Sequence, residues 1–242
     1  MKILKFSLIV FGGLLLTLSG FVAWHLHKDR GDKYPRPAYG SGMVPHFNAV
    51  DVPFKTLFDK KESLPLIGSA VIDVDNDGRE EFFVGGGMGQ NDALFKYTED
   101  GFVNITQRVN FTKNLSNTTY GAATIDIDSN GFTDLAVARD NAIYLYLNRN
   151  GVFDEPINLN LPLNEKSQPV SITFADLNND GWTDMFVSSY IKKHLMEGQT
   201  IFNKEGYGGA SQLYINNGDN TFSDITEKSG LTYVHNTFCA VF

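Results

Sequence analysis

Cysteine is almost absent from this chain of 242 residues, because Cys239 is the only one. An intrachain disulfide is therefore excluded, and we expect Cys239, in its apolar stretch, to be a small core residue. A basic surface is lacking as well, because 20 Lys and Arg residues face 28 Asp and Glu residues and form no patch. Nucleic-acid binding has no support from this charge balance.

Patterns for several common chemistries are also missing. The five histidines show no metal-ligand spacing in the region expected to fold, and no Ser/His/Asp arrangement can be assigned. The glycine-rich run at 85–89 lacks the lysine of a phosphate-binding loop and follows a predicted strand, so a turn fits it better. No catalytic residue and no organic cofactor are predicted.

Long hydrophobic runs are limited to one, at the N-terminus. Lys2 and Lys5 precede the stretch from Phe6 to Trp24, which is 19 residues without a charge. Such a run is typical of an export signal or an uncleaved membrane anchor, and we expect one hydrophobic helix over residues 1–27. Residues 28–53 are rich in Pro and Gly and are predicted to form a linker. The expected location is periplasmic or extracellular, either secreted or anchored.

Three copies of one acidic loop are the most informative feature of the chain. Acidic loop 1 runs from Asp73 to Glu81, acidic loop 2 from Asp126 to Asp134, and acidic loop 3 from Asp176 to Asp184. Each places side-chain oxygens at loop positions one, three, five and nine, with glycine at position six, as a calcium ion requires. The predicted metal ligands are Asp73, Asp75, Asp77, Glu81, Asp126, Asp128, Asn130, Asp134, Asp176, Asn178, Asp180 and Asp184, with the position-seven main-chain carbonyls of Arg79, Phe132 and Trp182.

Two alternatives to this calcium hypothesis were weighed. An EF-hand needs a glutamate at position twelve, where this chain has Val84, Val137 and Val187, so that motif is excluded. Asp, Asn and Gly could instead form plain polar turns, but three copies with the same four ligand positions favour the metal. The loops hold ten carboxylates in a chain of net charge -8, and three divalent ions would leave it near neutral.

The repeat extends beyond the loops. Asp126 follows Asp73 by 53 residues and Asp176 follows Asp126 by 50, spacings found in propeller arrays. The pattern of each repeat predicts four strands. One enters the acidic loop, one leaves it, a third is rich in aromatic residues, and a fourth begins with Phe102, Phe153 or Phe222. The prediction is an all-β fold, a β-propeller of four-stranded blades over residues 54–242. Its repeats lie near 67–118, 119–168 and 169–231, with a partial fourth at 232–242.

At this point the residues resemble a known family. The acidic loops and the later segment Leu213–Phe222 resemble FG-GAP or VCBS repeats, which build the calcium-bearing propeller head of integrin alpha subunits. The phrase Phe222–Leu231 is similar to one that closes blades in the cartilage acidic protein 1 and ASPIC/UnbV group. The resemblance implies calcium at the acidic loops. About three and a half blades are present, so we expect the chain to be the N-terminal part of a longer protein.

These observations predict an exported calcium-binding propeller that acts as a binding or adhesion module for an extracellular protein or glycan. An uncleaved N-terminal segment would add the membrane as a partner. A 25-residue insertion between Val187 and Leu213 is expected either to be a tolerated loop or to offer a contact surface, formed by Tyr190, Lys192, Lys193, Phe202 and Tyr207. The alternative function is an enzyme acting on extracellular polymers, with its active site on a propeller face or in a missing C-terminal part.

Overall fold

The computed structural model describes residues 48–58, 63–87, 89–111, 117–140, 142–196 and 208–241. The chain divides into two units, Met1–Ala49 and Val50–Phe242. The hydrophobic run at 6–24, predicted to be an export signal or anchor, lies outside the described residues. Among the residues that are described, no helix is both long and apolar enough to cross a lipid bilayer.

The described part of the second unit folds into three antiparallel sheets of four strands each. In each sheet the neighbouring strands follow one another in chain order. Sheet 1 contains β1 (Ser69–Ile72), β2 (Glu81–Val84), β3 (Ala93–Thr98) and β4 (Gly101–Asn104). Sheet 2 contains β5 (Thr119–Ile125), β6 (Asp134–Arg139), β7 (Ala142–Tyr146) and β8 (Ile157–Asn158). Sheet 3 contains β9 (Ser167–Ala175), β10 (Asp184–Ile191), β11 (Gln212–Asn216) and β12 (Phe222–Asp224), with a short 3-10 helix at Lys193–Leu195 between β10 and β11.

The predicted order of four strands per repeat is confirmed, with one correction in the second repeat. Phe153 does not head the fourth strand there, because β8 begins at Ile157. Phe153 instead forms an isolated bridge with Asn148, and the N–H of Arg149 donates to the carbonyl of Val152 at 2.7 Å to close the turn. This tight turn directs the Phe153 ring into the core between sheets 1 and 2, where it is 1% exposed.

Alternation along the second strand of each sheet places the core between neighbouring sheets. Leu135 and Val137 of β6 pack against Phe83 and other residues of sheet 1. Ala136 and Ala138, which point to the opposite face of β6, pack with Met185 and other residues of sheet 3. Sheet 2 is thus apolar on both faces, which explains why all six residues of β6 are buried. Three packed four-stranded sheets of this kind are consistent with a propeller-like fold.

The first strands of the three sheets approach one another backbone to backbone. The N–H of Gly68 donates to the carbonyl of Thr119 at 3.1 Å. A Cβ added at Gly68 would lie 2.9 Å from the backbone of Gly121, and one at Gly121 would lie 2.4 Å from the carbonyl oxygen of Val170. Only glycine fits at such distances. The spacing between adjacent sheets is therefore fixed where their first strands meet.

The segment that ends the described residues continues this arrangement. The N–H of Thr237 donates to the carbonyl of Ser189 at 3.1 Å, just as the N–H of Thr119 donates to Gly86 at 3.0 Å. Thr237 therefore stands next to sheet 3 as β5 stands next to sheet 1. The prediction that Cys239 is a core residue in a strand is wrong, because its thiol is exposed and no strand is formed there. The segment has a neighbour on one side alone among the described residues, which leaves Cys239 uncovered.

Candidate metal centre

The first residue of every acidic loop organises the loop through its carboxylate. In acidic loop 1, Oδ1 of Asp73 accepts the N–H of Asp77 at 3.1 Å and Oδ2 accepts the N–H of Gly78 at 2.9 Å. Asp126 binds the N–H groups of Asn130 and Gly131 at 3.0 and 2.9 Å, and Asp176 binds those of Asp180 and Gly181 at 3.1 and 3.0 Å. All three predicted position-one ligands therefore have the same local role.

Positions five and nine complete the shared hydrogen-bond pattern. The side-chain oxygen at position five accepts the N–H of position seven, at 2.9 Å from Arg79, 2.7 Å from Phe132 and 2.8 Å from Trp182. The carboxylate at position nine accepts the N–H of position two at 2.9 Å in each loop, from Val74 to Glu81, from Ile127 to Asp134 and from Leu177 to Asp184. The role of the position-seven carbonyls as ligands stays a prediction.

Two residues of each acidic loop have left-handed backbone conformations. The predicted one is glycine at position six, and Gly78, Gly131 and Gly181 have φ angles of 81°, 87° and 90°. Sequence reasoning missed position four, where Asn76, Ser129 and Asn179 have φ angles of 53°, 57° and 58°. The signal was available in acidic loops 1 and 3, because Asn is among the side chains that most readily adopt this conformation.

Acidic loop 2 gathers three carboxylates around one point. Oxygens of Asp126, Asp128 and Asp134 all lie within 4.8 Å of one another. An ion with Ca–O distances of about 2.3–2.6 Å can reach one oxygen of each. Asp134 is fully buried, and its second oxygen accepts the N–H of Asn148 at 2.7 Å. This donor set, entirely of oxygen and partly buried, fits a hard cation.

The electrostatics of acidic loop 2 follow from this crowding. Burial raises the pKa of Asp134 to about 6, with Asp128 and Asp126 adding to the rise and the N–H groups of Asn148 and Ile127 opposing it. The nearest cationic side chain is that of Arg149, which pairs with Asp128 and, at 3.1 Å, with Asp154. The Arg149 side chain is 45% exposed and flanks the loop, and among the described residues Asp134 forms no ion pair.

Acidic loop 1 also gathers three carboxylates, but a lysine reaches two of them and the carboxylate at position nine. Oxygens of Asp73, Asp75 and Asp77 lie within 4.8 Å of one another. Nζ of Lys96, on β3, lies 3.2 Å from Asp75, 2.7 Å from Asp77 and 2.9 Å from Glu81. Burial acts to lower the pKa of Lys96, but the interactions with Asp77, Glu81 and Asp75 outweigh burial, and the pKa of Lys96 is raised. The hydrogen bond from Lys96 likewise lowers the pKa of Asp77.

Acidic loop 3 keeps the shared hydrogen bonds and has three ligand carboxylates, as acidic loop 2 has, but its amide is at position three instead of position five. Position three is Asn178, whose Oδ1 accepts the N–H of Asp180 at 2.9 Å and whose Nδ2 donates to Oδ2 of Asp180 at 2.7 Å. Within the described ranges, the carboxylates of Asp176, Asp180 and Asp184 do not form a third cluster of the kind found in the other two loops. The amide therefore takes the place that a third clustered carboxylate has in acidic loop 2.

One buried asparagine links acidic loops 1 and 2, and sequence reasoning missed it. Nδ2 of Asn148 donates to the carbonyls of Val74 and Thr133 at 2.9 and 3.1 Å, while Oδ1 accepts the N–H of Gly151 at 2.9 Å. A second link joins Nδ2 of Asn76 to the carbonyl of Gly131 at 2.8 Å. Asn216 stands at the end of β11 as Asn148 stands just after β7, and its N–H likewise donates to the position-nine aspartate, Asp184, at 2.9 Å. That recurrence was the available signal.

One residue of the predicted contact surface of the insertion, Tyr190, is buried instead of exposed. Tyr190 is 9% exposed and packs in a core cluster with Leu64 and Val170, because β10 extends to Ile191. Its ring lies 5.0 Å from that of Phe238. Lys192 and Lys193 are partly exposed. Phe202 and Tyr207 lie outside the described residues.

Comparison with known proteins points to the same loops. A family model described as an FG-GAP-like repeat matches residues 73–137 and 126–187. The two matches begin at the first residues of acidic loops 1 and 2, and the second ends at Val187, directly after acidic loop 3. No curated protein matches the chain significantly. The chain therefore carries FG-GAP-like repeats, and these repeats contain the acidic loops.

Proposed function

We propose that this chain is an exported β-propeller protein that binds calcium in its acidic loops and serves as a binding or adhesion module. The observation that carries the proposal is acidic loop 2, where the carboxylates of Asp126, Asp128 and Asp134 converge on one point. Three carboxylates within 4.8 Å of one another repel strongly unless a cation neutralises them. The match to FG-GAP-like repeats supports the same reading.

Calcium suits the donor set better than magnesium does. Calcium accepts six to eight oxygens in a flexible shell, whereas magnesium demands a tight octahedron at about 2.0–2.1 Å and keeps several waters. In acidic loop 2 the carboxylate of Asp126 already accepts two N–H groups and Asp134 accepts another two. Carboxylates held in this way cannot contract around a small ion. A larger ion with longer bonds is therefore preferred.

The ion has a structural role in this proposal. Asp134 is the first residue of β6, and Asn148 connects its carboxylate to acidic loop 1 and to the turn at Gly151. A cation at Asp134 would stabilise the junction between sheets 1 and 2. Extracellular modules bind calcium with dissociation constants of about 0.1–1 mM, so weak sites suffice outside the cell.

Export and partner are the remaining parts of the proposal. The uncharged run from Phe6 to Trp24 supports export, and a fusion of residues 1–53 to a reporter that is active only outside the cytoplasm tests it. A reporter that stays inactive would contradict export. The partner we propose is an extracellular protein or glycan, because repeat arrays of packed blades present loops for recognition.

The calcium proposal is tested by calorimetric titration of the full chain in a mild detergent, over about 0.1–10 mM calcium. We expect uptake of calcium and a higher melting temperature in calcium than in EDTA. Each site adds about 1.4 kcal/mol when free calcium exceeds its dissociation constant tenfold. Absence of uptake, together with a melting temperature indifferent to EDTA, would contradict the proposal.

A pair of matched variants assigns the uptake to acidic loop 2. Asp128→Ala should remove one ion, because it deletes one carboxylate of the cluster. Asp154→Ala is the control, because Asp154 pairs with the same Arg149 but lies outside the loop. The control should keep the ion count of the unmodified chain. Equal counts for both variants would remove acidic loop 2 as a site.

A further inference from the structure

Acidic loop 1 differs from the other two in what faces its position-nine carboxylate. Glu81 on β2 is directly opposite Lys96 on β3. In the other sheets the paired residues next to Asp134 and Asp184 are Leu135 with Tyr146 and Met185 with Tyr214. One step further along these registers the third strand carries Leu147 and Ile215, which have no charge. Acidic loop 1 is thus the loop with both a glutamate at position nine and a lysine across from it.

The lysine ammonium lies where a metal ion would have to bind. Its distances of 3.2, 2.7 and 2.9 Å are to the residues at positions three, five and nine, which are the predicted ligands. The position-one ligand, Asp73, has both oxygens engaged by loop N–H groups. A calcium ion about 2.3–2.6 Å from the same oxygens would overlap the ammonium, and two cations cannot share the site.

Arg149 shows that a neighbouring cation does not by itself fill a loop. It contacts acidic loop 2 through Asp128, extends to Asp154 outside the loop, and has a side chain 45% exposed. The Lys96 side chain is 17% exposed and contacts three loop carboxylates. The two cations therefore have different relations to their loops: Arg149 lies at the edge, and Lys96 lies inside.

We infer that the Lys96 ammonium is the resident cation of acidic loop 1, so that this loop closes without metal and calcium uptake is confined to the other loops. The four carboxylates at positions one, three, five and nine of acidic loop 1 then all have partners, from Lys96 or from backbone N–H groups. This inference rests on the proposed calcium function for the other loops and corrects the expectation of three ions.

The test replaces Lys96 by methionine, which keeps an unbranched side chain only one atom shorter and removes the charge. Calorimetric titration of the full chain should show that Lys96→Met takes up one calcium ion more than the unmodified chain. Its melting temperature should fall in EDTA and recover in calcium, because the exposed carboxylates then depend on the metal. Arg149→Met is the matched control, and its ion count should equal that of the unmodified chain.

The outcomes separate the inference from the proposed function. The ion count of the unmodified chain tests the function, and the difference between Lys96→Met and that chain tests the inference. Equal counts for the two would overturn the inference even if calcium binds elsewhere. A gain of one ion by the variant alone would support the inference and overturn the function. If Lys96→Met does not fold, Lys96→Gln, which keeps a hydrogen-bond donor without charge, is read in the same way.

Discussion

The turns that follow β4 and β12 have the same hydrogen bonds and opposite burial. They comprise Ile105–Phe111 after sheet 1 and Ile225–Leu231 after sheet 3. Phe111 is 4% exposed, whereas Leu231 at the corresponding position is 41% exposed. The shared hydrogen bonds depend on the residues of each turn, whereas the difference in exposure depends on the neighbouring sheet.

The local part is identical in the two turns. The N–H of Leu94 donates to Oγ1 of Thr106 at 2.9 Å, and the N–H of Leu213 donates to Oγ1 of Thr226 at 2.9 Å. Two backbone bonds inside each turn also recur: Val109 to Ile105 and Phe111 to Thr106 in the first, Ser229 to Ile225 and Leu231 to Thr226 in the second. The turn is therefore specified by its own residues.

The neighbouring sheet accounts for the burial. The Phe111 ring lies 4.3 Å from that of Tyr146 and 5.5 Å from that of Phe153, which both belong to the second repeat. Leu231 belongs to none of the buried hydrophobic clusters formed by the described residues. Each turn is therefore formed by hydrogen bonds between its own residues, and the side chain of its last residue becomes buried where a neighbouring sheet packs against it.

The largest effect that would sharpen this comparison is expected at Phe111. Phe111→Ala should lower the free energy of unfolding by about 3–5 kcal/mol, because it leaves a cavity between sheets 1 and 2. Leu231→Ala should cost less than about 1 kcal/mol, because the side chain is already partly in water. Urea denaturation followed by circular dichroism measures both. Similar costs for the two variants would break the comparison.

A smaller and equal effect is expected at the two threonines. Thr106→Val and Thr226→Val remove the acceptor of a buried strand N–H while keeping the shape of the side chain. Each should lower the free energy of unfolding by about 1–2 kcal/mol, and the two values should agree within about 0.5 kcal/mol. The same denaturation measurement serves, with Thr221→Val, at an exposed hairpin, as a reference site. A large inequality would show that the turns are not locally equivalent.

The smallest effect concerns the left-handed residue of each turn. Asn110 has a φ angle of 59° and donates from Nδ2 to the carbonyl of Phe153 at 3.0 Å, whereas Gly230 has a φ angle of 79°. Asn110→Gly keeps the conformation and loses the bond, so we expect a loss of about 0.5–1 kcal/mol in unfolding free energy. Gly230→Asn should change it by less than about 0.5 kcal/mol. A larger loss for Gly230→Asn would contradict a purely local role.

Much of this fold could be predicted because its signals are local. The acidic loops follow from side chains within nine residues of one another, and Gly131 occupies the left-handed position that its place in the loop predicts. The strands leaving the loops follow from short apolar runs such as Phe82–Val84. The FG-GAP resemblance rests on the same segments and is supported at 73–137 and 126–187.

What could not be predicted depends on register and on neighbours. Lys96 is 19 residues from Asp77, and the β2 and β3 pairing alone brings it into acidic loop 1. The sequence predicted that Tyr190 is part of an exposed insertion, but β10 extends to Ile191 and Tyr190 packs in a hydrophobic core cluster. The apolar residues around Cys239 predicted a core position, but the residue is exposed, because burial depends on the elements that pack beside it. Such outcomes are set by partners distant in sequence.

Asn148 also restricts how this sequence can change over evolutionary time. Its side chain must offer two N–H donors and one acceptor at a fixed reach, toward Val74, Thr133 and Gly151. Aspartate lacks the donors, glutamine is one methylene too long, and serine offers a single donor. We therefore expect no neutral substitution at Asn148. Because the Asn148 side chain bonds the backbone of both acidic loops, a change in the position of either loop must preserve these bonds, and the two repeats cannot diverge independently at this point.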